Sequence, residues 1–468
     1  MKTEERTTGH HPPQQRTTGR RGDLIAAAAG VLLVTAAVLI GRAIQDAHGT
    51  LFAHWPPLLA SWYPHTGPGT PAAVVVAAAV VAYGPGLAGR LPWRGLLATA
   101  WGASLVWILS LAMIDGWGRG IADRLTTKHE YLQVIGRFGD IGAALHGFTG
   151  HILIGRPDNW PAHVAGHPPG ATLTFVLLDR IGLGGGGWAG AWCIVLGGSA
   201  VVAALIAVRA LADERLARGA APFLVLAPMA VWTGASADGY FAAVAAWSLA
   251  LLALAATRRP HSPRPAAAAA AALGSGLLYG LTCYLSYGLT LIALLLLTVL
   301  LLTRTARPVP LFLLGALVVP VAFTLAGFNW WEGYRLLVER YHQGAGGIRP
   351  YSYWVWANLA ATTVSAGLAT VAGLRRAAAG APGSVRALRT GTASARQRLI
   401  LLTLAALLAL LVADLSGMSK AETERIWQPF VLWLLPAAAL LPPDTRRGWL
   451  TAQAVVALLV NHLLWTGW

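Results

Sequence analysis

The chain has 468 residues, 56% of them hydrophobic and 12% charged, with a mean hydropathy of +0.57 and a formal net charge of +16. A soluble globular domain carries roughly 25% charged residues, which excludes that class. The basic excess falls in short stretches between apolar runs, the pattern of membrane topology and not of a nucleic-acid-binding face. Cys193 and Cys283, the two cysteines, lie inside apolar runs and read as small buried hydrophobes, neither a disulfide framework nor a metal site.

In chain order, residues 1–23 are polar, basic and rich in Pro and Thr, the composition of a disordered cytoplasmic tail. Apolar runs of membrane-spanning length follow. Those at 24–43 and 72–89 form an N-terminal transmembrane hairpin over 24–94, and a third spans 95–114. The polar segment 115–170 comes next. Residues 171–183, ATLTFVLLDRIGL, are apolar but short, interrupted by Asp179 and Arg180 and ended by the glycine run 184–187. Later runs lie at 188–209, 221–235, 239–256, 266–282, 285–303, 309–327, 354–373, 399–414, 427–441 and 449–467. The predicted fold class is therefore all-α, a polytopic transmembrane helix bundle of about 13 spans plus one re-entrant or half-spanning helix.

Orientation follows from the basic residues. With the N-terminus inside and 171–183 entering and leaving on one side, the segments 1–23, 90–94, 209–219, 257–264, 304–307, 375–398 and 446–447 lie inside. They hold about 23 of the 35 Lys and Arg, as the positive-inside rule requires. About 13 of the 19 Asp and Glu then face outward. A full crossing by 171–183 would turn Arg215, Arg218, Arg258 and Arg259 outward, so parity favours the half-spanning reading. The segment 375–398 is expected as a basic cytoplasmic loop at anionic headgroups.

The outward clusters are the candidates for chemistry. In 115–170, residues 128–146 place Tyr131, Ile135, Phe138 and Leu145 on one stripe, predicting an amphipathic helix on the membrane surface. Glu130 and Arg137 share a neighbouring face. They form either a solvent-facing ion pair or a carboxylate at a cavity mouth that takes a proton from an acceptor hydroxyl. His167-Pro168-Pro169-Gly170 suits a helix start. The loop 328–353, with Arg335 and Arg340, and the loop 414–426, with Lys420 and Arg425, carry cations able to hold a lipid-linked phosphate. Asp238 lies in a short outer turn, first as a helix cap and second as a carboxylate added to the site.

Glu130-Tyr131 after a span, an amphipathic stretch, then HPPG, a short apolar helix and a glycine turn resembles the polyprenyl-phosphate-dependent glycosyltransferases of the GT-C superfamily. The likeness is to the branch of protein mannosyltransferases and the lipid A aminoarabinose transferase. It covers 95–256, with Glu130, Pro168-Pro169, Gly182/Gly184, Arg209 and Asp238 as the matches. His129 stands where an Asp would complete an acidic pair, and Gly170 replaces a Leu. The resemblance implies a catalytic module over 95–256, followed by C-terminal helices over 257–468. It further implies inverting transfer of a mannose- or arabinose-like sugar from a polyprenyl-phosphate donor to a cell-envelope glycan, lipid or protein acceptor. Glu130 would be the base, Asp140 or Asp115 the second acid, and Lys420 and Arg425, then Arg335 and Arg340, would hold the donor phosphate. His129, Tyr131, His167 and Asp238 would bind substrate. No cofactor and no nucleic acid is expected, and nothing in the sequence supports a divalent metal. The protein is expected in the plasma membrane with its site extracytoplasmic. A flippase or transporter is the alternative, for which polar groups would gather at the midplane of the spans.

Overall fold

The computed structural model describes residues 13–258 and 265–467, with side chains from residue 19 onward. It is an all-α, multi-pass membrane bundle. Among the described residues seven helices are long and apolar enough to cross a bilayer, and up to nine if two bent pairs each count as one span. Shorter apolar helical stretches cover Tyr287–Thr303 and Gln428–Leu440. The only sheet among the described residues pairs Ala60–Trp62 antiparallel with Leu464–Thr466.

Segments predicted on one side of the membrane meet one another at one end of the bundle. At the basic end, Asp23 binds Arg375 (3.2 Å) and Arg376 (2.6 Å). Arg20 pairs with Asp444, and Arg218 donates to the carbonyls of Ala88 and Leu91. At the opposite, acidic end, His65 meets Asp115. Arg349 donates to the carbonyls of Leu51 and Lys420, and Arg425 binds Asp238. The helix Gly170–Arg180 starts and finishes at the acidic end. Gly170 abuts the Tyr284 carbonyl, Arg180 donates to the carbonyls of Phe138 and Gly139, and Gly186 abuts the Ala122 carbonyl. Its 11 residues extend about 16 Å, half a bilayer core.

The structure departs from the sequence reading in several places. About 13 spans were expected, and among the described residues seven to nine helices qualify; run 221–235 is broken between Glu214–Val225 and Ala230–Thr233, and run 427–441 is made of short helical pieces. Residues 13–23 are helical, as the first turns of Pro13–His48. The rest of the expected tail, and part of the 257–264 segment, lie outside the described residues. Run 354–373 is not one straight span. It breaks at Gly367 (φ +81°), where Tyr351–Ala366 and Leu368–Thr390 meet at 113°, and most of the expected basic loop 375–398 is the rest of that second helix. Residue 367 needs glycine because the left-handed region costs other residues a steric penalty. Loop 328–353 contains the helix Trp330–Gln343, bent by 77° from Val309–Leu325. Lastly, 128–146 is no continuous α-helix. Tyr131–Phe138 is 3-10 and Ile141–His146 is a short α-helix. Gly136, Gly139 and Gly142 each weaken a helix by roughly 1 kcal/mol, which favours short pieces.

Sidedness is directly testable. Ser352, at the acidic end, and Gly383, on the basic helix, are both exposed. With Cys193 and Cys283 replaced by Ala, Ser352→Cys is expected to react with an impermeant maleimide in intact cells and Gly383→Cys only after lysis. The reverse pattern would invert the bundle.

Candidate active site

Glu130 is at the acidic end, in the turn that leads into the Tyr131–Phe138 helix, and is only 3% exposed. Its Oε1 lies 2.8 Å from Nδ1 of His163. The pairing is fixed by the backbone, since the His163 N–H donates to the His129 carbonyl at 3.0 Å. The other carboxylate oxygen, Oε2, is buried and has no hydrogen-bond partner among the described residues. A narrow crevice brings Glu130 together with Arg124, Ser236 and Arg425. Burial pushes the Glu130 carboxyl up, but His163, then Arg425 and His167, outweigh it and hold the pKa below the usual carboxylate value. The group is therefore ionised at neutral pH, with one oxygen oriented and the other lacking a hydrogen-bond partner among the described residues.

Behind Glu130 lies an aromatic and imidazole wall. Tyr131 is buried, stacked on Phe175 at 5.4 Å, and its hydroxyl is 3.1 Å from Nδ1 of His167. The same Nδ1 is 2.8 Å from the His163 carbonyl, which can only accept, so Nδ1 carries the proton. Burial, only partly offset by Asp238, lowers the His167 pKa to about 4, leaving a neutral ring at physiological pH. The HPPG motif has a packing reason as well. Pro169 precedes the first turn of Gly170–Arg180, and a Cβ at Gly170 would stand 2.5 Å from the Tyr284 carbonyl oxygen, so Leu has no room there.

Arg425 is the more deeply buried cation of the crevice, 4% exposed, with Arg124 beside it. It binds Asp238 and, at 3.1 Å, Glu422. Burial opposes its charge, but Asp238, Glu422 and Glu130 outweigh that and raise its pKa. Asp238 is free to do this because Ser236 is the N-cap of Ala237–Thr257, its hydroxyl accepting from the Asp238 N–H. The cap reading of Asp238 is thus corrected. Glu422 is aimed by a strained turn in which Ala421 (φ +75°) and Glu422 (φ +64°) are both left-handed.

The remaining candidates are more dispersed. Asp115 sits in an ionic cluster with His65 (2.9 Å), Arg124 (3.0 Å) and Arg119 (3.5 Å), joined to Glu130 through Arg124. Asp140 is exposed and caps Ile141–His146, accepting from the Ala143 N–H at 3.0 Å. The His129 ring is exposed, so this residue contributes its carbonyl to His163. Lys420 donates to the Gly346 carbonyl at 2.9 Å. Arg335 is exposed. Arg340 reaches the Trp160 carbonyl at 3.4 Å, and its Nη1 is buried without a hydrogen-bond partner among the described residues. Arg137 does not pair with Glu130; it stacks over Trp160 at 3.5 Å. Arg124, His163 and Ser236 were not singled out from sequence. Among the described residues no group of three or more His, Cys, Asp or Glu is placed to hold a metal ion.

Glu424, fully buried beside Arg425, accepts from the Leu59 N–H at 2.9 Å. Burial pushes its pKa up to about 7. The folded state then holds this proton more tightly than the unfolded state, so stability falls as pH rises from the usual carboxylate range through about 7. Glu424→Gln is expected to raise Tm at pH 8 and to change it little at pH 5. An equal shift at both values in a thermal melt would mean that Glu424 does not titrate in this window.

No protein-family model and no curated protein matches the chain. Among solved structures it is similar to ArnT from Cupriavidus metallidurans bound to undecaprenyl phosphate, at 16% identity and TM-score 0.42 over 73% of this chain and 60% of that one. It is also similar to apo ArnT, at 16% identity and TM-score 0.41 over 69% of this chain. A third likeness is to the apo Archaeoglobus fulgidus oligosaccharyltransferase, at 13% identity and TM-score 0.46 over 74% of this chain. The matches cover 56% of the apo ArnT chain and 50% of the oligosaccharyltransferase chain.

Proposed function

We propose that the protein is an integral membrane glycosyltransferase. It moves a mannose- or arabinose-like sugar from a polyprenyl-phosphate donor to a cell-envelope glycan, lipid or protein acceptor on the outer face of the plasma membrane. The observation that carries this reading is the Glu130 carboxylate, buried and ionised, with Oε1 held by His163 and Oε2 unpartnered in a crevice shared with Arg124 and Arg425. An acceptor hydroxyl placed at Oε2 gives up its proton as its oxygen attacks the anomeric carbon. The bond from that carbon to the phosphate oxygen breaks, the phosphate takes the electron pair, and the anomeric configuration inverts. Arg425 and Arg124 supply positive field where the phosphate charge develops, and Arg340, with its free donor, is the nearest match to a direct phosphate ligand in the 328–353 segment. Among the described residues the groups that meet in this crevice lie at one end of the bundle, which favours an enzyme over a flippase.

The deciding assay supplies membranes containing the protein with radiolabelled polyprenyl-phospho-sugars and cell-envelope acceptors. Label transferred to acceptor supports the enzyme. Label that crosses the bilayer without bond cleavage supports the flippase.

A further inference from the structure

At the basic end, away from Glu130, a cavity of about 450 Å³ opens beside the Glu214–Val225 helix and the start of Arg446–Leu463; Arg215, Arg218 and Arg446 line it, with Glu214 as the one acid of the lining. That acid is already engaged by Arg209 at 2.7 Å and Arg218 at 2.6 Å, and Arg218 also holds the Ala88 and Leu91 carbonyls. Arg215 and Arg446 therefore carry the uncompensated charge. Arg215 is exposed. Arg446 donates through Nη2 to the Ala439 carbonyl at 3.0 Å, but its Nε is buried with no hydrogen-bond partner among the described residues. Burial, and then the charge of Arg215, lowers the Arg446 pKa. Its seat is built by Gly219, where a Cβ would stand 3.0 Å from Nη1.

A second cavity, of about 260 Å³ and wholly apolar, adjoins the first and shares Pro222 with it. It runs between the helices Thr70–Arg90 and Trp93–Ala112, past Val80, Leu96 and Ala100. Tyr83 (67% exposed) and Leu87 (44%) form its outer edge, so it opens sideways toward lipid. A cationic pocket and an apolar groove that meet at Pro222 are complementary to an amphiphile whose head is an anionic phosphate.

We propose that this face binds an anionic phospholipid of the adjacent leaflet. Its phosphate lies between Arg215 and Arg446, where guanidinium forks match phosphate oxygens, and one acyl chain lies in the groove beside Tyr83. The lipid joins the Thr70–Arg90 helix to the Glu214–Val225 helix.

Native mass spectrometry of the purified full-length protein tests this with phosphatidylglycerol, phosphatidylcholine and inorganic phosphate as probes. Phosphatidylglycerol is expected to bind and phosphatidylcholine to bind much more weakly. Arg215→Gln, on an exposed residue that should not disturb folding, should weaken phosphatidylglycerol binding about fivefold, and Arg215→Gln with Arg446→Gln roughly 30-fold. Thr99→Phe, which fills the groove from its exposed wall, should weaken phosphatidylglycerol as well. Equal binding of the two lipids would overturn the proposal, as would unchanged binding in Arg215→Gln, or displacement of phosphatidylglycerol by equimolar inorganic phosphate, which would make the pocket a free-anion site.

Discussion

Glu130→Gln is expected to lower sugar transfer by about 10²–10⁴-fold, the usual cost of removing a general base, with folding and donor binding retained. The substitution keeps the shape of the side chain and leaves its Oε1 as an acceptor for His163, so the 2.8 Å contact survives. It removes only the capacity of Oε2 to take a proton. The pH dependence separates this role from an electrostatic one. The depressed pKa of Glu130 places the acid limb of the pH–rate profile below the usual carboxylate range, so transfer should be flat from neutral pH down to about pH 5. The stability that this carboxylate contributes is likewise present above its unfolded pKa and lost as pH falls through the folded one. His163→Ala removes the strongest partner opposing burial, so the acid limb should move up toward neutrality. A profile that stays in place in His163→Ala would remove the Glu130–His163 pair from the reaction, and normal transfer by Glu130→Gln would remove Glu130 itself. Asp115→Asn and Asp140→Asn are the companion variants. Asp140, exposed and engaged as a helix cap, should affect stability more than turnover.

The gross architecture was legible because it depends on additive properties of the sequence. Apolar run length locates the long spans but overcounts, because runs such as 221–235 and 427–441 fold as short helical pieces, and arginine placement sorts the helix ends. Parity alone placed both ends of the 171–183 helix on one side, since a full crossing would strand Arg215 and Arg218 outward. The helix breaks were not legible. Gly367 sits in an apolar run whose hydropathy does not report a left-handed φ, and no composition signal separates that glycine from those inside straight helices. Part of the candidate crevice was legible as well, because charged residues are sparse in such a chain: Glu130, Asp238 and Arg425 were picked out and meet there, whereas Asp140, His129, Lys420 and Arg335 lie apart from it. The pairing within the crevice was hidden. Asp238 and Arg425 are 187 residues apart, and one charge gives no pointer to its partner. His163 was one of several histidines in the 115–170 segment, selected only by its backbone bond to His129. The one usable sequence signal was at Ser236. A serine two residues before Asp238 can itself cap the helix, which would have released the aspartate for an ion pair.

Arg425→Ala is expected to fail before any effect on phosphate can be read. The guanidinium is 4% exposed, and its removal leaves Asp238 and Glu422 without their cation and Glu130 with a weaker field. Breaking a buried pair on one side costs about 3–5 kcal/mol, a large share of the stability of a typical domain. Little folded protein should be recovered, and its Tm should fall steeply. Arg425→Lys keeps the charge but cannot present two donors to Asp238 and Glu422 at once, so it should fold with a reduced Tm and reduced transfer. The double variant Asp238→Asn with Arg425→Gln separates the two roles. It removes one charge of each sign, leaves hydrogen-bonding groups in place, and should recover much of the lost Tm. If Arg425 also stabilises the leaving phosphate, transfer stays low in this refolded protein, with the loss in kcat. Transfer that returns along with Tm would make Arg425 purely structural, and the phosphate would then be sought at Arg340, whose Nη1 has no hydrogen-bond partner among the described residues.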